Sequence, residues 1–369
     1  MMITWPHMGS LEVVLSSIFE ELQLDYMLPP PNSERTLDLG ARHGPEFACF
    51  PLKTTLGNFI EAIENGADTL IMVAGKGPCR FGFYAETQRR ILMEAGYDFR
   101  MYQLEFEPRM IPNTIRNLRI LKQGRSWMSL VRAIKFAFAK GEVIDKLEQQ
   151  ALRQRWMDRD KGATTAALKK CYEMISGAGT YASLSRVEEE AFKSMLSVPR
   201  VEREEIKIGI VGEFYLVLEP FFNLNVEEQL GDLGACLERS VYFTDWLRPS
   251  TENPISGHPA SESEEAARPY LTHFVGGEGI QSVGHAVIYK RLGFDGVVHL
   301  MPFTCMPETI AKSILPRVSQ DVGIPVLSLV IDEMTGKAGV STRLEAFVDL
   351  ARSRRRAVDI KPQLQPTLT

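Results

Sequence analysis

Short apolar runs of strand length, separated by stretches of helical periodicity, constrain this chain more than any other feature. ADTLIMVA (67–74), IKIGIVGEFY (206–215), FDGVVHLM (294–301) and IPVLSLVI (324–331) are dominated by apolar residues, without the polar alternation of a half-exposed strand. Such strands are buried on both faces, which is the condition of a parallel sheet covered by helices. Between them, TTLGNFIEAIENG (54–66) and AETQRRILMEAG (85–96) have helical spacing and are closed by Gly66 and Gly96. Further helical stretches fall at 11–22, 226–234, 280–292, 307–318 and 342–353. ITW (3–5) and VYFTDW (241–246) read as additional strands, whereas YML (26–28) is stopped by three prolines. Strands alternating with helices predict an α/β fold with parallel sheets.

The alternation lapses between 111 and 205, where only helical spacing remains: Trp127, Leu130, Val131, Ile134 and Phe138, then Leu168, Cys171, Tyr172 and Ile175. The expected organisation is therefore an N-terminal α/β domain over 1–110, a helical insert over 111–205, a C-terminal α/β domain over 206–353 and a tail over 354–369. A chain of 369 residues has room for such domains. The segment 249–269, rich in Pro and Ser, reads as an exposed loop, and RSRRR (352–356) as a helix end. Between Asn113 and Lys170, 14 Lys or Arg stand against 5 Asp or Glu. That excess is either a solvated face or an attraction for an acidic partner or a phosphate-bearing ligand.

The formal charge of −5 and the pI near 5.8 give no global reason to expect nucleic acid or an anionic membrane as partner. MMITWPHMGS lacks the basic and apolar blocks of a secretory signal, no run reaches the length of a membrane span, and the expected location is cytoplasmic. Five scattered cysteines, an odd number, do not form a disulfide framework. Metal binding, catalysis or packing must account for them.

Three of the five occupy one kind of position. Cys79 lies in GKGPCRFGFY (75–84), directly after a strand. Pro78 has no N–H, and neither the Walker pattern nor a dinucleotide G-x-G-x-x-G is present, so this loop is not a phosphate cradle. Cys305 follows a strand in HLMPFTCMPE (299–308), and Cys49 precedes a helix in EFACFPLK (46–53). Loops at the carboxyl ends of parallel strands face the crevice where ligands bind, so the three thiols could converge on one site; burial as small hydrophobes is the competing reading. Cys171, on an apolar helix face, and Cys236, beside a strand, read as packing residues.

FACFPLKTTLGNFIEAIENGADTLIM, GKGPCRFGFY, VGEFYLVLEPFFNLN and FDGVVHLMPFTCMPETIAKSILP together resemble the 2-hydroxyacyl-CoA dehydratase family, and within it the stand-alone acyl-CoA dehydratase activase-related or CoA activase branch. The likeness covers most of the chain and is weakest over 111–200. It implies two Rossmann-like or flavodoxin-like domains with an iron–sulfur cluster between them, held at the positions of Cys49, Cys79 and Cys305. Three thiolates on a 4Fe-4S cubane leave one iron without a protein ligand. A double cubane needs six cysteines, so one chain with five could hold it only by sharing across a symmetric interface. Lys53 and Arg80, close to those cysteines, either tune the cluster or form surface salt bridges.

Weaker signals surround these loops. Glu213 and Tyr215 end the strand in GEFYLVLEP and suit acid–base or ligand-orienting work, or helix capping. GGEGIQSVGH (276–285) could seat a phosphate of CoA or a nucleotide at a helix start. Asp332 and Glu333 end a further strand, and His43 and His299 border cysteine loops without zinc-like spacing. The function implied by the resemblance is an oxygen-sensitive, low-potential electron-transfer or reductase component. Its implied partners are a separate ATP-hydrolysing activator of the actin-like kinase superfamily and a second subunit, in a homodimer or a heterodimer. A non-catalytic cluster-bearing subunit and a cluster-free CoA- or nucleotide-binding protein are the alternatives.

Overall fold

A computed structural model describes residues 1–74, 77–105, 111–244 and 261–360. Two all-parallel sheets organise them. The first has three strands, β1 (Ile3–Thr4), β2 (Thr69–Ala74) and β3 (Arg100–Glu105), in the order β1-β2-β3. The second has four, β4 (Ile206–Gly212), β5 (Ala235–Arg239), β6 (Gly296–Pro302) and β7 (Val326–Ile331), in the order β5-β4-β6-β7. Every residue of β6 is buried, as expected for a central strand covered on both faces.

The order of the second sheet has a functional consequence. From β4 the chain adds β5 on one side and, after its next crossover, β6 on the other. The carboxyl ends of β4 and β6 therefore flank a topological switch point, where parallel sheets leave a crevice. Glu213 follows β4, and Cys305 follows β6.

The four helices Ile111–Leu121, Trp127–Gln154, Ala163–Ser176 and Tyr181–Leu196 fill the region without strands. They do not stand apart: Ile144, Leu147, Leu168, Cys171 and Met195 share one core with Ile206, Ile208 and Ile210 of β4. The apolar row read from the sequence splits between two faces. Leu130 is buried, whereas Trp127, Val131 and Ile134 are 40–45% exposed.

Other expectations shift by local chemistry. ACLER, not VYFTDW, forms the strand at this edge of the sheet; residues 245 and 246 lie outside the described residues. RMYQLE is a strand, and ERTLDLGARH a helix capped by Ser33 and Thr36, although neither has a strong apolar pattern. The helix Met306–Val322 runs through Pro316 and past residue 318, and Lys337–Ile360 extends beyond the expected 342–353 at both ends. Of the expected loop over 249–269, residues 249–260 lie outside the described residues, and Glu262–Ala267 is a helix with a capping box on Ser261. No described helix is long and apolar enough to cross a membrane.

The helix Phe50–Glu64 is buried on nearly every side. It can lie that deep because Gly57 brings its backbone against the helix Glu34–His43: a Cβ there would come within 1.9 Å of the Thr36 carbonyl oxygen. Leu56, Phe59 and Ile60 are fully enclosed, each a burial of roughly 1.5–3 kcal/mol. This anchored helix presents Cys49 at its head.

Candidate functional site

Cys49, Cys79 and Cys305 each occupy the N-cap of a helical segment. Cys49 (φ −64°, ψ 145°) starts Phe50–Glu64, Cys305 (φ −65°, ψ 116°) starts Met306–Val322, and Cys79 (φ −66°, ψ 132°) starts the 3-10 turn Arg80–Phe83. Pro51 and Pro307 stand in the first turns of the two long helices, where the missing N–H costs nothing and the fixed φ starts the helix. The sulfurs thus sit at positive helix ends, which favour negative charge.

The three cysteines line one pocket, whose non-atom space amounts to about 300 Å³ with adjoining solvent included. Pro51, Phe81, Tyr84, Met306 and Pro307 supply its apolar wall, and Arg80 and Glu213 its charges. The three cysteine-bearing loops are knitted together around it. The Phe50 N–H donates to the Phe303 carbonyl at 3.3 Å, joining the Cys49 and Cys305 loops. Arg80 donates to the Phe47 carbonyl at 3.0 Å and to the Thr304 carbonyl at 2.6 Å. Lys53 pairs with Glu333 at 2.6 Å. Gly276 (φ +87°) lets its chain press on the Cys79 turn, because a Cβ there would lie 2.7 Å from the Cys79 nitrogen.

Burial is the first cause acting on every thiol in the pocket, and it pushes each one up. Cys79 reaches about 12, with Glu213 and Glu278 adding to the rise. Glu213 and Glu308 add to the rise at Cys305. At Cys49 the Tyr84 hydroxyl and the Arg80 guanidinium work in the opposite direction. The backbone N–H groups of Leu52, Phe81 and Glu308 likewise favour the thiolates of Cys49, Cys79 and Cys305 respectively. The carboxyls respond to the same enclosure: burial, then Glu308, raises Glu213 to about 7, and burial, then Glu213 and Glu308, raises Glu278 to about 8.

The other residues singled out from sequence divide clearly. Glu213 both lines the pocket and caps the short helix Phe214–Leu218, accepting from the Leu216 N–H at 2.9 Å. Tyr215 is not among the pocket-lining residues: its hydroxyl donates to the His7 carbonyl at 3.1 Å and lies 3.3 Å from the Asn32 amide. Lys53 is buried in its pair with Glu333, while Asp332 holds its own turn through Thr335 and Met334. Cys171 sits in the core against the Ala191 carbonyl, and Cys236 faces the Arg153 carbonyl; neither lines the pocket. His43 ends its helix, and His299 is wholly buried between Ser328 and Glu308. The GGEG loop is taken up by packing on Cys79 and Pro307.

Among the described residues, no three His, Cys, Asp or Glu side chains stand arranged to hold a metal ion. Thiolates that hold a multi-iron cluster bind different irons, and so stand further apart than the donors of one ion. The donor set fits such a cluster in kind: three soft sulfurs, helix-start N–H groups and an apolar wall.

Residues 7–238, more than half the chain, match the model of the CoA enzyme activase uncharacterised domain (DUF2229). The chain belongs to this family. No curated protein matches it. The matched span holds Cys49, Cys79 and Glu213 of this CoA enzyme activase domain protein and ends before Cys305.

Four residues of the site in this CoA enzyme activase domain protein escape sequence reasoning: Tyr84, whose hydroxyl meets the Cys49 sulfur, Glu278, Glu308 and Thr304. One signal was available for part of this. Phe-x-Cys-x-Pro occurs twice, at 47–51 and 303–307, and starts a helix each time. The settings differ from the expectation of a common strand-end position: Cys305 follows β6, whereas Cys49 lies in a connection between the helices Glu34–His43 and Phe50–Glu64.

Proposed function

We propose that Cys49, Cys79 and Cys305 hold an iron–sulfur cluster of the 4Fe-4S kind, and that the protein is a low-potential electron-transfer or reductase component. The observation that carries this reading is the delivery of three cysteines to the wall of one pocket on separate loops, one after β2, one after β6 and one between two helices. Its electrons would come from a separate ATP-hydrolysing activator. The protein would pair with a second copy or a related subunit, and sharing between chains is the only way to a double cubane.

The cluster supplies one-electron chemistry when bound. The protein's own groups do the rest. Cys49, Cys79 and Cys305 would hold the group as thiolates, giving up their thiol protons, and the metal's charge would favour that form against burial. Helix-start N–H groups and the Tyr84 hydroxyl offset negative charge on the sulfurs. The Glu213 and Glu278 carboxyls hold protons near neutrality, so protons are stored beside the pocket. The cluster-free alternative has less support, because the glycines that would wrap a phosphate are occupied by packing.

Anaerobic purification tests the reading directly. The expected product is brown and contains iron and acid-labile sulfide. Cys49→Ala, Cys79→Ala and Cys305→Ala should each lower both, while Cys171→Ala and Cys236→Ala leave them nearly unchanged. Undiminished cluster in a Cys79→Ala, Cys305→Ala double variant overturns the ligand set. ATP-dependent reduction by an activator separates the electron-transfer reading from that of a non-catalytic subunit.

A further inference from the structure

We infer that Arg80 is a positioning residue, a clasp that sets the Cys79 sulfur against the other two. It follows Cys79 directly in sequence. One arm of its guanidinium, Nη1, donates to the Phe47 carbonyl at 3.0 Å, two residues before Cys49; the other, Nη2, donates to the Thr304 carbonyl at 2.6 Å, one residue before Cys305. A single planar, two-pronged group thereby spans all three cysteine loops. Arginine suits this because its fork is rigid and offers divergent N–H donors, whereas lysine brings the same charge on a single nitrogen.

The other ties around the pocket are distributed differently. The Cys49 and Cys305 loops have links of their own, the Phe50 N–H to the Phe303 carbonyl and Lys53 to Glu333. Neither link includes the Cys79 turn, which rests on the Gly276 and Gly277 backbone from one side. Tyr84, which closes this turn, meets the Cys49 sulfur, and Gln88 beyond it bonds to Leu52 and Thr55; Arg80 is the side chain that reaches the Cys49 and the Cys305 loops at once. Its side chain is exposed, so its bonds compete with water and add little to global stability. The role is one of spacing. For the cluster the inference rests on the reading above: losing the clasp would make one of three ligands loose.

The test uses the metal-free full chain and a short bis-thiosulfonate cross-linker, with the linked cysteines identified by peptide mass mapping. Arg80→Ala should lower the Cys79–Cys49 and Cys79–Cys305 products several-fold and leave Cys49–Cys305 unchanged, with the melting temperature nearly that of the parent. Arg80→Lys should behave like Arg80→Ala. Equal loss of all three products, no loss, or full retention by Arg80→Lys overturns the clasp, since those outcomes mean general loosening, no role, or a role of charge alone. Iron retention against a chelator is measured in parallel. A parent protein that binds no iron but gives the expected cross-links defeats the cluster reading and leaves the clasp standing. A parent that binds iron, with cross-links indifferent to Arg80, defeats the clasp alone.

Discussion

The two Phe-x-Cys-x-Pro loops share local structure and differ in what surrounds them. Each puts its cysteine at an N-cap with nearly the same φ, and each follows it with a proline in the first helical turn. Beyond that the chemistry diverges. Four residues after Cys49 comes Lys53, paired with Glu333, whose side chain is 25% exposed. Three residues after Cys305 comes Glu308, wholly enclosed with His299 at 2.8 Å. Cys49 touches the Tyr84 hydroxyl, while Cys305 follows Thr304, held at φ +60°. The motif delivers the sulfur; the residues after it and across from it set the charge the sulfur meets.

The largest expected effect tests whether the Cys305 side is the more tightly enclosed. Glu308→Ala strips His299 of its carboxyl partner in a closed site, leaving it only Ser328, and should cost about 3 kcal/mol. Lys53→Met keeps the apolar stem and leaves a carboxylate that water can reach, so about 1 kcal/mol is expected. Urea unfolding midpoints measure both; equal costs would erase the distinction.

The next effect is chemical. Tyr84→Phe removes a donor that favours the Cys49 thiolate, so the pH at which Cys49 is alkylated should rise. Cys305 should not respond. Alkylation followed residue by residue in the metal-free protein checks this, and a matching shift at Cys305 would show that the two loops are not independently tuned.

The smallest effect turns on sign. Thr304 adopts a left-handed conformation, and its buried hydroxyl has no hydrogen-bond partner. Thr304→Gly should therefore range from neutral to about 1 kcal/mol stabilising, whereas Ala48→Gly at the matched position should cost about 0.5–1 kcal/mol. Thermal unfolding of the pair decides it, and a loss of stability in both removes backbone strain as a difference between the loops.

Much of this architecture was legible because burial writes itself into composition. ADTLIMVA and FDGVVHLM read as strands because a central parallel strand must be apolar on both faces. RMYQLE did not, because it lies at the edge of its sheet and stays only partly covered. Of the site, the cysteines could be located by their position after strands or before helices. Their contacts could not. Tyr84 and Glu278 matter through contacts across long stretches of chain, and no local period encodes such contacts; Arg80 could be singled out as the neighbour of Cys79, but not its reach to the Phe47 and Thr304 carbonyls. Tyr215 follows the same strand as Glu213, yet its hydroxyl bonds to the N-terminal segment; two residues at the head of a short helix point different ways.

The division of the pocket between two sheets also fixes a timetable. During synthesis Cys49 and Cys79 emerge early, with the first sheet; Cys305 follows only after β6 has been made. The Phe303 and Thr304 carbonyls that Phe50 and Arg80 require arrive at the same late moment. A nascent chain therefore carries two of the three thiols without the frame that spaces them. Completion of the pocket therefore waits until most of the chain has been made, and a chain truncated before the second Phe-x-Cys-x-Pro loop would be a half-built pocket rather than a weaker version of the whole.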